Sequence, residues 1–200
     1  MKNRFLKCTL YLVILFLCFS CQNLDTETSD NTESKPVILL LGGDILLDRG
    51  VRTEIEKKGV ISLFDSLQPI FNEYKSEYNF ILANLECPLT DEDSFIPKRF
   101  SFRAPSSYAD SLKKAGFTHL FLANNHTNDH HRKGLANTFN SLKKVGIIGI
   151  GYGETHSESC EPVFIEQKNN NPTSTKIAIL SVVRVPLENW FRMEEKPSIC

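Results

Sequence analysis

Three short polar groups carry residue types suited to metal or acid–base chemistry: Gly43-Asp44, Asn84-Leu85-Glu86 and Asn124-Asn125-His126. Their oxygen and nitrogen donors are those that hold divalent metals such as Mn²⁺, Zn²⁺, Fe or Mg²⁺. Carboxylates offset the cation's charge, while an Asn oxygen and an imidazole fill positions without adding more negative charge. Water held there becomes an accessible nucleophile. Taken singly, each group also has a purely structural reading: Asp44 as a turn residue, Asn84 or Asn124 as a cap, His126 as a hydrogen-bonded loop histidine. What distinguishes them is their placement, each directly after an apolar run.

Those runs alternate with amphipathic stretches from Pro36 onward, the pattern of an α/β fold whose strands are joined by crossover helices. Val37 to Leu41 is an unbroken aliphatic strand ending in Gly42-Gly43. Ile61 to Tyr74 has helical spacing, Phe80 to Ala83 is a second strand, and Leu85 to Arg99 is a loop. Ser107 to Ala115 reads as a helix stopped by Gly116, Phe117 to Ala123 as a third strand. A helix from near Asp129 carries Leu135, Phe139, Leu142 and Val145 on one side, and Ile147 to Ile150 is a fourth strand. Val163 to Glu166 and Lys176 to Val183, joined across Asn169-Asn170-Asn171-Pro172, read as an antiparallel hairpin. In a parallel sheet the carboxyl ends of the first three strands face one side, where ligands sit.

The rest of the composition narrows the setting. An apolar content of 41% and a charged content of 24% suit one ordinary globular core, and the net charge of −1 leaves no general cationic field to gather nucleic acid. Lys2, Arg4 and Lys7 precede an apolar run from Cys8 to Phe19 that is too short to span a bilayer, which predicts a secretory signal over 1–20. Leu17-Cys18-Phe19-Ser20-Cys21 resembles the lipobox of bacterial lipoproteins, with Cys21 as the lipidated residue; plain secretion is the alternative. Residues 21–36, polar and acidic, are expected to be a flexible tether, and 37–200 the folded domain. The predicted location is the bacterial cell envelope, anchored to a membrane through lipid. Cys87 with Cys160 is a candidate disulfide in that oxidising compartment.

Gly43-Asp44-Ile45-Leu46-Leu47-Asp48-Arg49-Gly50-Val51, Asn84-Leu85-Glu86-Cys87-Pro88-Leu89, Phe102-Arg103-Ala104-Pro105, and Gly116-Phe117 through Ala123-Asn124-Asn125-His126-Thr127-Asn128-Asp129 resemble the successive blocks of the CapA family of bacterial capsule and poly-γ-glutamate synthesis proteins. Gly134-Leu135, Thr138 and Gly149-Ile150-Gly151 continue the match in order. The resemblance implies a layered α/β sandwich like that of calcineurin-like metallophosphatases, with this chain as the N-terminal part of the domain. It implies Asp44, Glu86 (or Asn84 in its place) and Asn125 as metal ligands and His126 as general acid or electrostatic stabiliser. Asn84, Arg103, Asn124 and Asp129 are the expected substrate contacts. Leu46 stands where metallophosphatases have a second ligand in the first block, and Glu86 where they have Asp, so the site is expected to hold one metal or to bind it weakly.

His130 and His131 are read as solvated residues near a helix start, His119 as a core histidine, and His156 as an exposed loop residue. Partners implied by the resemblance are an anionic extracellular polymer or its precursor and membrane synthase subunits. The reaction implied is metal-assisted hydrolysis or transfer at an amide or phosphoester. A non-catalytic polymer-binding or scaffold subunit and a generic metallophosphoesterase are the alternatives.

Overall fold

A computed structural model describes residues 36–75, 79–166, 176–184 and 196–200. The expected signal, the tether and Cys21 lie outside the described residues, as does the connection 167–175. Strands β1 (Ile38–Ile45), β2 (Asn79–Leu85), β3 (His119–Phe121) and β4 (Ile148–Ile150) form a sheet in that order, every neighbouring pair parallel. The fold is α/β, as predicted. Leu82, Ala83 and Leu120 are almost wholly buried, because an interior parallel strand is covered on both faces.

Between the strands run α1 (Gly50–Lys58), a 3-10 turn (Ile61–Leu67), α2 (Gln68–Glu73), α3 (Tyr108–Ala115) and α4 (His131–Lys144). The 3-10 turn touches α1, α2 and α3, and α3 touches α4, so these elements form one layer. This is expected when successive right-handed crossovers advance in a single direction. Phe117 seals that layer to the sheet, its ring edge-on to Phe64 at 5.1 Å and to Phe71 at 5.6 Å between centroids. α3 buries Ala109, Leu112 and Ala115 and ends at Gly116, whose φ of 115° a side chain would strain. α1 has no counterpart in the sequence reading, and Ile61 to Tyr74 is two short helical pieces instead of one.

The remaining strands are short. β6 (Val163–Glu166) and β7 (Lys176–Ile179) pair antiparallel, as expected for the hairpin. β5 (Tyr152–Gly153) pairs antiparallel with β8 (Ser198–Ile199), and α5 (His156–Ser159) lies between β5 and β6 in sequence. Among the described residues no helix is long and apolar enough to cross a membrane.

Three expectations are corrected. The disulfide joins Cys160 to Cys200, while Cys87 is a buried free thiol that burial pushes up to about 12. The Cys87 sulfur instead accepts the Leu47 amide at 3.4 Å, deep in the core. His130 is buried beside Phe95 of the long loop, not solvated, while His131 is exposed at a φ of 58°. His156 sits half-buried at the start of α5, its Nε2 3.9 Å from the Cys160 sulfur.

His119 is a core histidine, as read, with Nδ1 2.9 Å from Thr118 Oγ1 and burial pushing its pKa down to about 4. An unfolded chain protonates this imidazole near pH 6.5, whereas the folded one keeps it neutral. Stability from this residue is therefore complete above pH 6.5 and is lost as pH falls from there to about 4, by about 2 kcal/mol. Urea melts at pH 7, 5 and 4 on the wild type and on His119→Phe measure this, with a flatter acid limb expected for the variant.

Candidate functional site

Gly42-Gly43 lies where the register of β1 against β2 shifts, and a side chain at Gly42 would make ordinary contacts with β2. A side-chain carbon at Gly42 would meet Ala83 Cβ at 3.4 Å and Leu82 O at 3.5 Å. Leu41 aligns with Leu82 but Asp44 with Asn84, so β1 advances three residues while β2 advances two. This bulge takes up one residue and delivers Asp44 beside Asn84. Asn84 Nδ2 donates to Asp44 Oδ1 at 2.8 Å and to Glu86 Oε2 at 2.5 Å. Glu86 is fixed from the main-chain side by its own N–H to Ile45 O at 3.0 Å.

The third cluster joins through Asn124, whose Nδ2 donates to Asn84 Oδ1 at 3.0 Å and to Leu85 O at 2.8 Å. Its Oδ1 accepts the His126 N–H at 3.0 Å, an Asx turn that sets the direction of the following residues. Further tight turns follow, with Asp129 N–H to His126 O at 3.0 Å and His131 N–H to Asn128 O at 3.0 Å. They fold Asp129 back beneath His126.

Asp129 has no exposed surface, and it faces His126 rather than solvent. Its Oδ2 accepts from His126 Nδ1 at 2.9 Å and from the Phe102 N–H at 2.7 Å. Its Oδ1 has no well-directed hydrogen bond but meets Lys98 Nζ at 2.6 Å, so the buried carboxylate is satisfied by charge. Lys98 Nζ also donates to Asn125 O at 3.1 Å. The Phe102 ring packs on the imidazole at 4.2 Å.

Held in this way, His126 carries its proton on Nδ1 and turns Nε2 toward Glu86, whose Oε1 is 3.9 Å away. Burial, and to a lesser extent the nearby Asp44 charge, raise the Glu86 pKa, against the Asn84 hydrogen bond and the His126 charge, which lower it. Such a carboxyl is poised to hold or release a proton nearer neutrality than a free glutamate.

Asp44, Asn84, Glu86, Asn124, His126 and Asp129 thus form one connected set at the carboxyl ends of β1, β2 and β3. Asn125 is attached only through its carbonyl; its side chain makes no hydrogen bond among the described residues and is partly exposed. Arg103 lies outside the set, its guanidinium donating to Glu92 O at 2.8 Å and Asp93 Oδ1 at 2.7 Å. Lys98 and Phe102 were not foreseen as site residues. Phe102 stood in a quoted block, but nothing local marks Lys98.

The two carboxylates suit a divalent cation chemically, and the Asn84 amide that bridges them occupies the oxygens a cation would compete for. In number the donors fall short: among the described residues no three His, Cys, Asp or Glu side chains gather as a metal-holding group. The described residues provide a hydrogen-bonded acid–base centre that includes two carboxylates able to contribute to a metal site.

A family model described as "Bacterial capsule synthesis protein PGA_cap" matches residues 38–198. The chain is 25% identical over 169 residues to the capsule biosynthesis protein CapA of Bacillus anthracis, covering 82% of this chain and 39% of that one. It is 24% identical over 176 residues to the PGA biosynthesis protein CapA of Bacillus subtilis (strain 168), covering 87% and 45% respectively. It spans less than half the length of these curated relatives.

Proposed function

Because this chain belongs to the bacterial capsule synthesis protein family, we propose that it acts at the cell envelope in making, releasing or attaching an anionic extracellular polymer, with His126 as the proton-carrying group. The observation that carries this reading is the Lys98–Asp129–His126 array, which aims Nε2 at Glu86 on the ligand side of the sheet. A buried carboxylate on Nδ1 fixes the tautomer and steadies the imidazolium that forms when Nε2 takes a proton. That proton comes from the attacking water, hydroxyl or amine as it bonds to the carbonyl carbon or phosphorus, and Nε2 returns it to the leaving nitrogen or oxygen as the amide or phosphoester bond breaks. Glu86, with its raised pKa, is the second group able to hold a proton there. Asn84 and Asn124 orient the carboxylates and the His126 loop.

A divalent cation held by Asp44 and Glu86 belongs to the proposal as a co-ligand; when bound it would neutralise developing negative charge and acidify a water. It would need donors beyond those gathered among the described residues. That shortfall favours a second reading, a polymer-binding or scaffold subunit of a membrane synthase in which the same loops serve recognition. Lipid anchoring through Cys21 is part of either reading.

The deciding experiment restores the full-length protein to a strain lacking it and measures envelope polymer. His126→Ala and Asp44→Ala are expected to lower polymer at least tenfold while the protein accumulates normally. Undiminished polymer with both variants would overturn the catalytic reading, and co-purification with synthase subunits that survives both would establish the scaffold one. Cys21→Ser is expected to shift the protein from the membrane to the soluble fraction.

A further inference from the structure

We propose that Arg49 and Arg99, carried on the rings of Phe100 and Phe102, form a track that binds successive carboxylates of an anionic polymer strand and leads it to His126. This rests on the reading of the site as one that handles an extracellular polymer. Arg99 Cζ lies 5.0 Å from the Phe100 centroid, Arg49 Cζ lies 5.7 Å from the same ring and 5.3 Å from that of Phe102, and Phe102 packs on His126 at 4.2 Å. Two guanidinium groups and two rings thus run without interruption to the imidazole. Both arginines are exposed, and Phe100 keeps 49% of its surface in water.

Many of the other surface cations are paired with carboxylates. Lys57 and Lys58 pair with Glu54, Lys114 with Asp110, Lys133 with Glu92, and Arg103 with Asp93. Among the described residues no carboxylate forms an ion pair with the guanidinium of Arg49 or Arg99. A guanidinium resting on an aromatic face leaves its in-plane N–H groups for an incoming anion, and their fork matches a carboxylate. On a chain whose net charge is −1, such a strip is a local arrangement, not a share in a general cationic field.

The backbone at Arg49 carries the same message. Its φ of 58° and ψ of −134° fall where glycine is at ease and a side chain is strained. Nothing in the turn requires arginine, since the Arg49 amide, which donates to Asp48 Oδ1 at 2.7 Å, is present in any residue but proline. The other oxygen of Asp48 accepts the Arg103 amide at 2.8 Å, so one carboxylate ties the loop of Arg49 to the loop of Phe102 and keeps the track in register.

The test is fluorescence anisotropy of a labelled poly-glutamate oligomer titrated with the full-length protein in EDTA, with labelled dextran as the neutral control. The wild type is expected to bind poly-glutamate and not dextran, with affinity that falls as salt screens the charges. Arg49→Gln with Arg99→Gln is expected to weaken binding at least tenfold. Arg49→Gly, which the turn accepts readily, is expected to raise the melting temperature and still weaken binding, so loss of binding cannot be assigned to misfolding. Polymer output of the double arginine variant, measured beside that of His126→Ala, separates this proposal from the catalytic one: the track can fail with polymer synthesis still dependent on His126, and the reverse. Unchanged affinity in the double variant, equal affinity for dextran, or no binding by the wild type would overturn the track.

Discussion

Asp129→Ala is expected to cost about 3–5 kcal/mol of stability, because it removes the buried carboxylate from its ion pair with Lys98. The same change removes the acceptor of His126 Nδ1 and of the Phe102 amide, so the imidazole loses both its tautomer and its neighbour's position. Asp129→Asn separates the two effects. An asparagine oxygen in the place of Oδ2 still accepts from both the Phe102 amide and His126 Nδ1, but its NH₂ group then faces Lys98 and the negative charge that steadies an imidazolium is gone. That variant is expected to fold, with a smaller loss in urea melts, and to lower polymer formation by roughly 10²-fold or more, the scale on which general acid–base groups act. Nitrogen-15 shifts of His126 report the tautomer directly. Full polymer output from Asp129→Asn would reduce Asp129 to a purely structural residue.

Breaking the Cys160–Cys200 bond is expected to cause a large loss of stability without touching the site. The two cysteines are 40 residues apart, and releasing that loop in the unfolded chain corresponds to about 4 kcal/mol. The described structure around the bond has little else to hold it: β5 and β8 are two residues each, and the Val183 amide reaches Cys200 O at 3.4 Å. Arg132 adds a hydrogen bond from its guanidinium to Pro197 O. Cys160→Ser, Cys200→Ser and the reduced wild type should therefore share one lowered urea midpoint, and reductant should leave both variants unchanged. A midpoint indifferent to reductant would show that the bond does not support the fold. A cystine of this kind belongs to an oxidising compartment, in keeping with the expected export.

The elements legible in the sequence were those whose signal is local. β1 and β2 hold the short apolar runs Ile38 to Leu41 and Phe80 to Ala83, and α4 repeats apolar residues at helical spacing, so side-chain hydrophobicity alone announces them. α1 was missed because Gly50 to Lys58 holds only Val51 and Ile55 as apolar residues, too few for a period. The continuous helical pattern is divided at Pro69, which has no N–H to donate and so fits only the first turn of α2. His130 was misjudged for the opposite reason. Its burial depends on Phe95, which is distant in sequence and arrives with the folded loop.

By itself the sequence determined the α/β class, the family, and the convergence of Asp44, Glu86 and His126 on one side, because parallel strands align their carboxyl ends whatever the loops do. Only the tertiary structure decided which groups those residues touch. It withdrew Asp129 from the surface and set it behind His126, brought Lys98 to it, left the Asn125 side chain outside the network, and paired Cys160 with Cys200. Each of these depends on a long loop closing or on a contact across the fold, and such contacts are selected by the packing of the whole domain and the need to satisfy buried charge. No periodicity or spacing along the chain encodes them.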